Sequence, residues 1–151
     1  MIVSNLERRL QVLHTIKALP LLLLCLPSLA SAESTISGRV TKVRDVDTIV
    51  VAGTPIRLNG IDGPEISTRV GKEAKYFMQR LVGGKVVECY LTGERTYDRW
   101  VGVCYLDSAD IGATAISAGM ALDCARYSGG RYQNLETRAA RSKIQRAAYC
   151  R

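Results

Sequence analysis

Three β-branched stretches follow one another between Thr35 and Leu58 with almost no chain between them. Thr35–Val43, Thr48–Ala52 and Ile56–Leu58 are separated only by Asp45-Val46-Asp47 and Gly53-Thr54-Pro55, which read as tight turns. A parallel crossover takes a dozen or more residues, so these neighbours have to run antiparallel and a doubly wound α/β sheet is ruled out. The rhythm then changes. Ala74, Phe77, Met78, Leu81 and Val82 recur at helical spacing and predict a helix over Lys72–Val82, ended by Gly83-Gly84. Lys85–Leu91 and Trp100–Leu106 read as a hairpin around Thr92-Gly93-Glu94. Asp110 can cap a helix over Ile111–Ala118 with Gly119 as its stop. A looser stretch, Tyr127–Tyr132, leads into a last helix from about Asn134 to Ala148. Five strands and three helices in this order predict a small antiparallel barrel with helices packed on it.

The first 32 residues read differently from the rest. Arg8, Arg9 and Lys17 precede an apolar run from Ala18 to Leu26, and Ala30-Ser31-Ala32 follows, the three parts of a secretory signal peptide cleaved after Ala32. A membrane anchor is the competing reading, but spanning takes about 20 apolar residues and Pro20 and Pro27 interrupt this run. Lipidation at Cys25 meets a bulky Leu24, and Arg8-Arg9 lacks good twin-arginine flanks. The expectation is an exported protein, periplasmic or secreted, in which residues 33–151 form one domain. Once the leader is gone, no membrane association is expected, no protein partner is implied, and the default state is a monomer.

Losing the leader also removes His14, the single histidine. A mature chain without histidine cannot run a Ser-His-Asp or Cys-His mechanism or build a His-based metal site. Arg8, Arg9, Lys17 and Glu7 leave with it, so 18 basic residues face 13 acidic ones, an excess that favours polyanions without identifying them. Four cysteines remain, none in a C-x-x-C pair. In an oxidising compartment an even set favours two disulfides, against the alternative of four free thiols. Cys89 and Cys104 lie on the two strands of the predicted hairpin, which favours that pair and leaves Cys124 with Cys150.

Acids and arginines supply the candidate chemistry. Asp45 and Asp47 occupy the turn after the first strand, and Asp62 and Glu65 follow the third. If those strands are neighbours, Asp47 and Asp62 face one pocket and suit a hard divalent ion, calcium first, although acidic residues also simply favour turns. Arg57 sits in an otherwise apolar strand and Arg99 opens a later one. Each could clamp a phosphate with its planar fork, or just pair with a surface acid. Arg126, Tyr127, Arg131 and Tyr132 form an aromatic–basic cluster. Its tyrosines either stack on nucleic-acid bases or fill gaps between helix and barrel. Arg138, Arg141, Lys143 and Arg146 read mainly as a solvated helix face.

Val43-Arg-Asp-Val-Asp-Thr48, Ile56-Arg-Leu-Asn-Gly-Ile-Asp-Gly-Pro-Glu65, Gly71-Lys-Glu-Ala74 and Thr96-Tyr-Asp-Arg-Trp-Val101 together resemble the thermonuclease, or staphylococcal-nuclease-like, family. The resemblance runs from about Ser37 to Tyr149. It implies a β-barrel of OB-fold type, five antiparallel strands with three packed helices, and calcium-dependent hydrolysis of phosphodiesters in DNA and RNA, single strands preferred. By resemblance Asp47, Asp62 and the Gly63 carbonyl are the Ca2+ ligands, and Asp45 supports them. Glu65 activates the attacking water, Arg57 and Arg99 bind the phosphate, and Tyr97 lies beside it. With Tyr127 from the aromatic cluster, these make up the expected site.

The sequence departs from the family pattern in places. The family's Asp-Gly-Asp turn is Asp45-Val46-Asp47 here, and a positive φ at its middle residue would strain valine. Gly63 replaces a threonine. Asp98 replaces a glycine and places a charge beside Arg99, and the loop from Glu65 to Gly71 is shortened. A silent OB-fold nucleic-acid-binding module, or a disulfide-stapled interaction domain, would carry the same elements without hydrolysis.

Overall fold

The computed structural model describes residues 34–150. The expected signal peptide over 1–32, its cleavage point and Cys25 lie outside the described residues. Among the described residues eight strands are present: β1 (Thr35–Asp45), β2 (Thr48–Val51), β3 (Thr54–Leu58), β4 (Ile61–Asp62), β5 (Val86–Thr96), β6 (Arg99–Leu106), β7 (Ala109–Asp110) and β8 (Leu122–Asp123). Four helices accompany them: α1 (Arg69–Val82), α2 (Ile111–Ser117), α3 (Ala125–Ser128) and α4 (Arg138–Lys143). Among the described residues no helix is long and apolar enough to cross a membrane.

The six-stranded sheet runs β3-β2-β1-β5-β6-β7, and β3 also pairs with β6, so the five long strands close in a ring. Every contact is antiparallel except the closing one, where Ile56, Arg57 and Leu58 run parallel to Trp100, Val101 and Gly102. That pair corrects the expectation of purely antiparallel strands: β3 and β6 are distant in sequence, so no short turn dictates their direction. β1 bends to serve both sides of the ring. Thr35–Arg39 pair with β5 and Val40–Asp45 with β2, with register shifts in the second half. Inside lie Val43, Ile49, Val51, Ile56 and Leu58, and the inner faces of α1 (Ala74, Met78, Val82) and α2 (Ile111, Ala115, Ile116) cover the core.

Several boundaries move from the sequence reading. The β2–β3 turn falls at Ala52-Gly53, and Pro55 joins β3 just before its pairing with β6 begins, where a missing N–H costs nothing. Thr92-Gly93-Glu94 form a bulge within β5, between Leu91 and Arg95, and the hairpin turns at Tyr97-Asp98 instead. α1 starts earlier, at Arg69, because the Thr68 side chain accepts the Gly71 N–H at 3.0 Å and caps it. Tyr127 and Ser128 belong to the one-turn α3, so the α-helices among the described residues number four.

The expected last helix shrinks to α4. Thr137 caps it afresh, accepting the Ala140 N–H at 3.0 Å, and Ile144 is already extended. Residues 144–150 then run as a strap across the molecule, ending in a 3-10 turn at Ala148–Cys150. The strap is held by Arg146 on the Asp123 carbonyl and on Glu136 (2.5 Å), and by the Ala147 N–H on Asp62 (2.7 Å). These bonds replace the helix hydrogen bonds that periodicity anticipates. The cysteines pair as the hairpin suggested: Cys89 with Cys104, directly opposite across β5 and β6, and Cys124 with Cys150, closing the strap.

Candidate active site

One cleft of about 610 Å³ opens where the β1–β2 turn, the end of β3, the segment after β4 and the β5–β6 turn meet. Asp45, Asp47, Arg57, Gly63, Glu65, Tyr97, Arg99 and Tyr127 all line it. Asp62 does not reach the wall. It is 4% exposed and lies behind it on β4, its Oδ2 accepting the Ala147 N–H.

Asp47 is the hub. Arg57 Nη1 stands 2.5 Å from its Oδ2, and the buried Thr48 hydroxyl donates to its Oδ1 at 2.9 Å. The same hydroxyl accepts from Arg99 Nη1 at 3.0 Å, so Thr48 links the carboxylate to the second arginine. Arg57 also donates to the Ile61 carbonyl at 3.4 Å. Pairing of Thr48 with Arg57 across β2 and β3, and of Arg57 with Val101 across β3 and β6, brings these side chains together. The ring closure therefore positions both arginines.

The charges explain the ionisation. Burial pushes Asp47 up, but the Arg57 charge and the hydrogen bonds around it outweigh this and hold its carboxyl below the ordinary carboxylate range. Burial, reinforced by the Asp47 charge, pushes Asp45 up to about 6. Burial raises Asp62 as well; the Ala147 N–H opposes this and the Asp47 charge adds to it.

Val46 carries no positive φ, so the turn does not strain it. Its side chain is 1% exposed and turned inward. A β-carbon on Gly63 would lie 2.4 Å from Val46 Cγ1, so the glycine makes room for the valine. Two departures from the family pattern thus compensate each other sterically. Asp98 forms a two-pronged pair with Arg44 at 2.7 and 3.1 Å, which engages the charge that would otherwise face Arg99 alone. Glu65 is placed by the start of α1: its carbonyl accepts the Thr68 N–H (2.9 Å) and hydroxyl (2.7 Å). Gly71 lies so close to that carbonyl that a β-carbon would come within 2.0 Å, which only glycine permits.

Tyrosines mark the rim. Tyr97 is 93% exposed and stands at the β5–β6 turn with a left-handed φ of 55°, its ring 5.9 Å from the Arg99 guanidinium. Arg126 stacks over Tyr127 at 5.6 Å. Tyr132 takes the other course: it is buried, donates to Asp110 at 2.7 Å and fills a gap beside α2, with Arg131 stacked on it away from the cleft. Arg141 and Arg146 are engaged by Glu136 and do not form a free basic face. Sequence reasoning missed Thr48, which reads as an ordinary strand residue. It also missed Tyr149 and the Ala147 N–H, which fall within the expected helix. Tyr149 lines the cleft beside Tyr127.

Among the described residues no three His, Cys, Asp or Glu side chains gather into a self-sufficient metal cluster. The arrangement offers the buried Asp47, the half-buried Asp45, two arginines and an exposed glutamate at a common cleft, with Asp62 behind its wall, a set able to hold a phosphate and withdraw a proton beside it.

The family model described as "Staphylococcal nuclease homologue" matches residues 55–148. The probable staphylococcal-like nuclease CAN1 of Oryza sativa subsp. japonica is 38% identical over 72 residues, 48% of this chain and 22% of that protein. The succinoglycan biosynthesis protein ExoI of Rhizobium meliloti (strain 1021) is 31% identical over 106 residues, 62% of this chain and 55% of that protein. An uncharacterized endonuclease of Haemophilus influenzae (strain ATCC 51907 / DSM 11121 / KW20 / Rd) is 32% identical over 95 residues, 60% and 53% respectively. The chain spans from about a fifth to about half the length of these curated relatives. The match covers more than half the chain and every arginine and carboxylate of the cleft from Arg57 to Arg99, so the chain belongs to the staphylococcal nuclease homologue family.

Proposed function

We propose that the protein is a calcium-dependent nuclease that hydrolyses phosphodiester bonds in DNA and RNA. The observation that carries this is the convergence of Arg57, Arg99 and Glu65 on one cleft beside Asp47, in a chain of this family. The donor chemistry fits a hard divalent cation. Asp47 and Asp62 are buried, and although Arg57 pairs with Asp47, burial and the Asp47 charge both disfavour the charged form of Asp62, which a cation beside it would favour. Asp47, Asp62 and the Gly63 carbonyl would hold it, with Asp45 behind them. So few protein carboxylates suit weak binding, about 10⁻⁴–10⁻³ M. When bound, the ion supplies Lewis-acid polarisation of a phosphate oxygen.

The chain's own residues do the rest. Arg57 and Arg99 clamp the phosphate and offset the extra negative charge of the five-coordinate transition state. Glu65, exposed at the cleft mouth, accepts a proton from water as the water oxygen bonds to phosphorus and the leaving oxygen departs. Tyr97 and Tyr127 flank the phosphate and favour unpaired bases, whose faces are free to stack. The leader and two disulfides support export to a periplasm or beyond, with the protein acting as a monomer.

Oxidised protein should be incubated with single-stranded DNA and RNA, in excess calcium or excess chelator, beside Glu65→Gln. Cleavage that needs both calcium and Glu65 is the expected result. Nucleotide binding with no turnover would overturn it in favour of the silent OB-fold module, and neither binding nor turnover would point to an interaction domain.

A further inference from the structure

The strap over residues 144–150 reaches the cleft, although nothing in the proposed chemistry requires it. Tyr149 lines the cavity together with Arg57, Glu65 and Asp47 and keeps half its surface open. Its ring stands edge-on to Tyr127, centroids 6.5 Å apart, and Tyr127 is backed in turn by Arg126. The next residue, Cys150, is bonded to Cys124. Two residues before it, the Ala147 N–H is bonded to Asp62. A half-exposed aromatic side chain between two such anchors cannot drift out of the cleft, and holding it there costs conformational entropy that core packing does not require.

The geometry points to Tyr149 as a further substrate-contacting residue. Its hydroxyl donates to the phosphate held by Arg57, and its ring, braced by Tyr127, forms the wall on which the adjoining base of a single strand rests. This deepens the nuclease reading above and rests on it. Three features of the site agree. The charges that reach the Tyr149 hydroxyl are those of Arg57, Asp62, Asp47 and Glu65, the residues around the expected phosphate position. Burial raises that hydroxyl above its ordinary value, so it stays a donor throughout the neutral range. Edge-to-face contact with Tyr127 leaves the two rings as adjoining apolar faces at the cleft, on which an unstacked base can rest.

Tyr149→Phe keeps the ring and removes the hydroxyl; Tyr149→Leu removes both. On a single-stranded DNA oligonucleotide with calcium, Tyr149→Phe should lower kcat about tenfold or more and leave KM within about twofold. Tyr149→Leu should in addition raise KM about tenfold on the single strand and little on the duplex of the same sequence. Binding is read separately in the Glu65→Gln background with the fluorescein-labelled oligonucleotide, where adding Tyr149→Leu should weaken affinity about tenfold. Free-thiol titration confirms that the Cys124–Cys150 bridge is intact in each variant. If Tyr149→Leu does not fold, Tyr149→Phe decides by its kcat. An active wild type whose Tyr149 variants match it in kcat, KM and binding overturns the assignment and leaves the nuclease reading standing. An inert wild type removes the nuclease reading, and the binding arm then decides Tyr149 alone: weakened affinity keeps it as a nucleic-acid contact, and unchanged affinity overturns it.

Discussion

A methyl group of Val46 occupies the volume that a β-carbon on residue 63 would need, so the β1–β2 turn and the segment after β4 interlock beside Asp47. Gly63→Ala should overpack that contact and cost about 1–3 kcal/mol. Val46→Ala should leave a small cavity and cost a similar amount, and the double variant should cost less than the two together by about 0.5–3 kcal/mol. Denaturant midpoints of the four proteins check this, and strict additivity would refute the interlock. Thr48 makes the second residue-level prediction. Thr48→Val preserves shape and strand preference but strips the hydroxyl shared by Asp47 and Arg99, so kcat should fall about tenfold or more with KM little changed, in steady-state kinetics. The acids and arginines of this site are legible in the sequence through the ordered motifs that carry the family resemblance, since singly a turn preference or a surface ion pair would account for each. Thr48 is not, because β-branching accounts for it fully in a strand. The Val46–Gly63 fit is a relation between two loops, and no local pattern encodes it.

The strap carries the prediction at the scale of elements. Its hold depends on Glu136, whose carboxylate accepts from the Asp123 N–H at 2.8 Å and from Arg146 at 2.5 Å, with Arg141 further off at 3.5 Å. Burial would raise Glu136, but the Arg146 hydrogen bond, the Asp123 N–H and the Arg146 charge outweigh it and hold it below the ordinary glutamate range. A carboxyl lowered on folding stabilises the protein above its unfolded value of about 4.3, and that contribution fades as pH falls through the folded value. Glu136→Gln should cost about 1–3 kcal/mol at pH 7 and flatten the loss of stability below about pH 4.3, measured by urea unfolding across pH. An unchanged acid limb would exclude Glu136 as its source. These same bonds explain why the strap is illegible in the sequence. Residues 134–148 have serviceable helix composition, and only long-range partners, Asp62, Asp123 and Cys124, pull 144–150 out of the helix. The five strands of the ring and α2 are legible because β-branched runs, turn residues and the Asp110 cap act locally, whereas the two-residue β4, β7 and β8 form only through tertiary pairing. The parallel β3–β6 seam is not legible either, since it arises only when the ring closes.

The two disulfides among the described residues lie at different distances from the proposed chemistry. Cys89–Cys104 spans 15 residues inside one hairpin, and Cys124–Cys150 spans 26 and anchors the strap beside Asp62. Each should contribute about 3–4 kcal/mol. The serine pair at 89 and 104 should therefore lower Tm and leave kcat near wild type at a temperature where it is folded. The serine pair at 124 and 150 should lower Tm comparably and cut kcat at least tenfold as well, because Ala147 and Tyr149 are then free to leave the site. Thermal melts and initial rates on the same samples check this, and equal activity in both pairs would refute a functional role for the strap. The second bridge also has a consequence for the cell that makes the protein. While Cys124 and Cys150 are still thiols, the strap that carries Tyr149 and the Ala147 N–H keeps only its hydrogen-bonded anchors at Asp62, Asp123 and Glu136. On the proposed reading of an exported nuclease, full cutting activity is expected only once the chain reaches an oxidising compartment, a timing that would shield the producing cell's own nucleic acids.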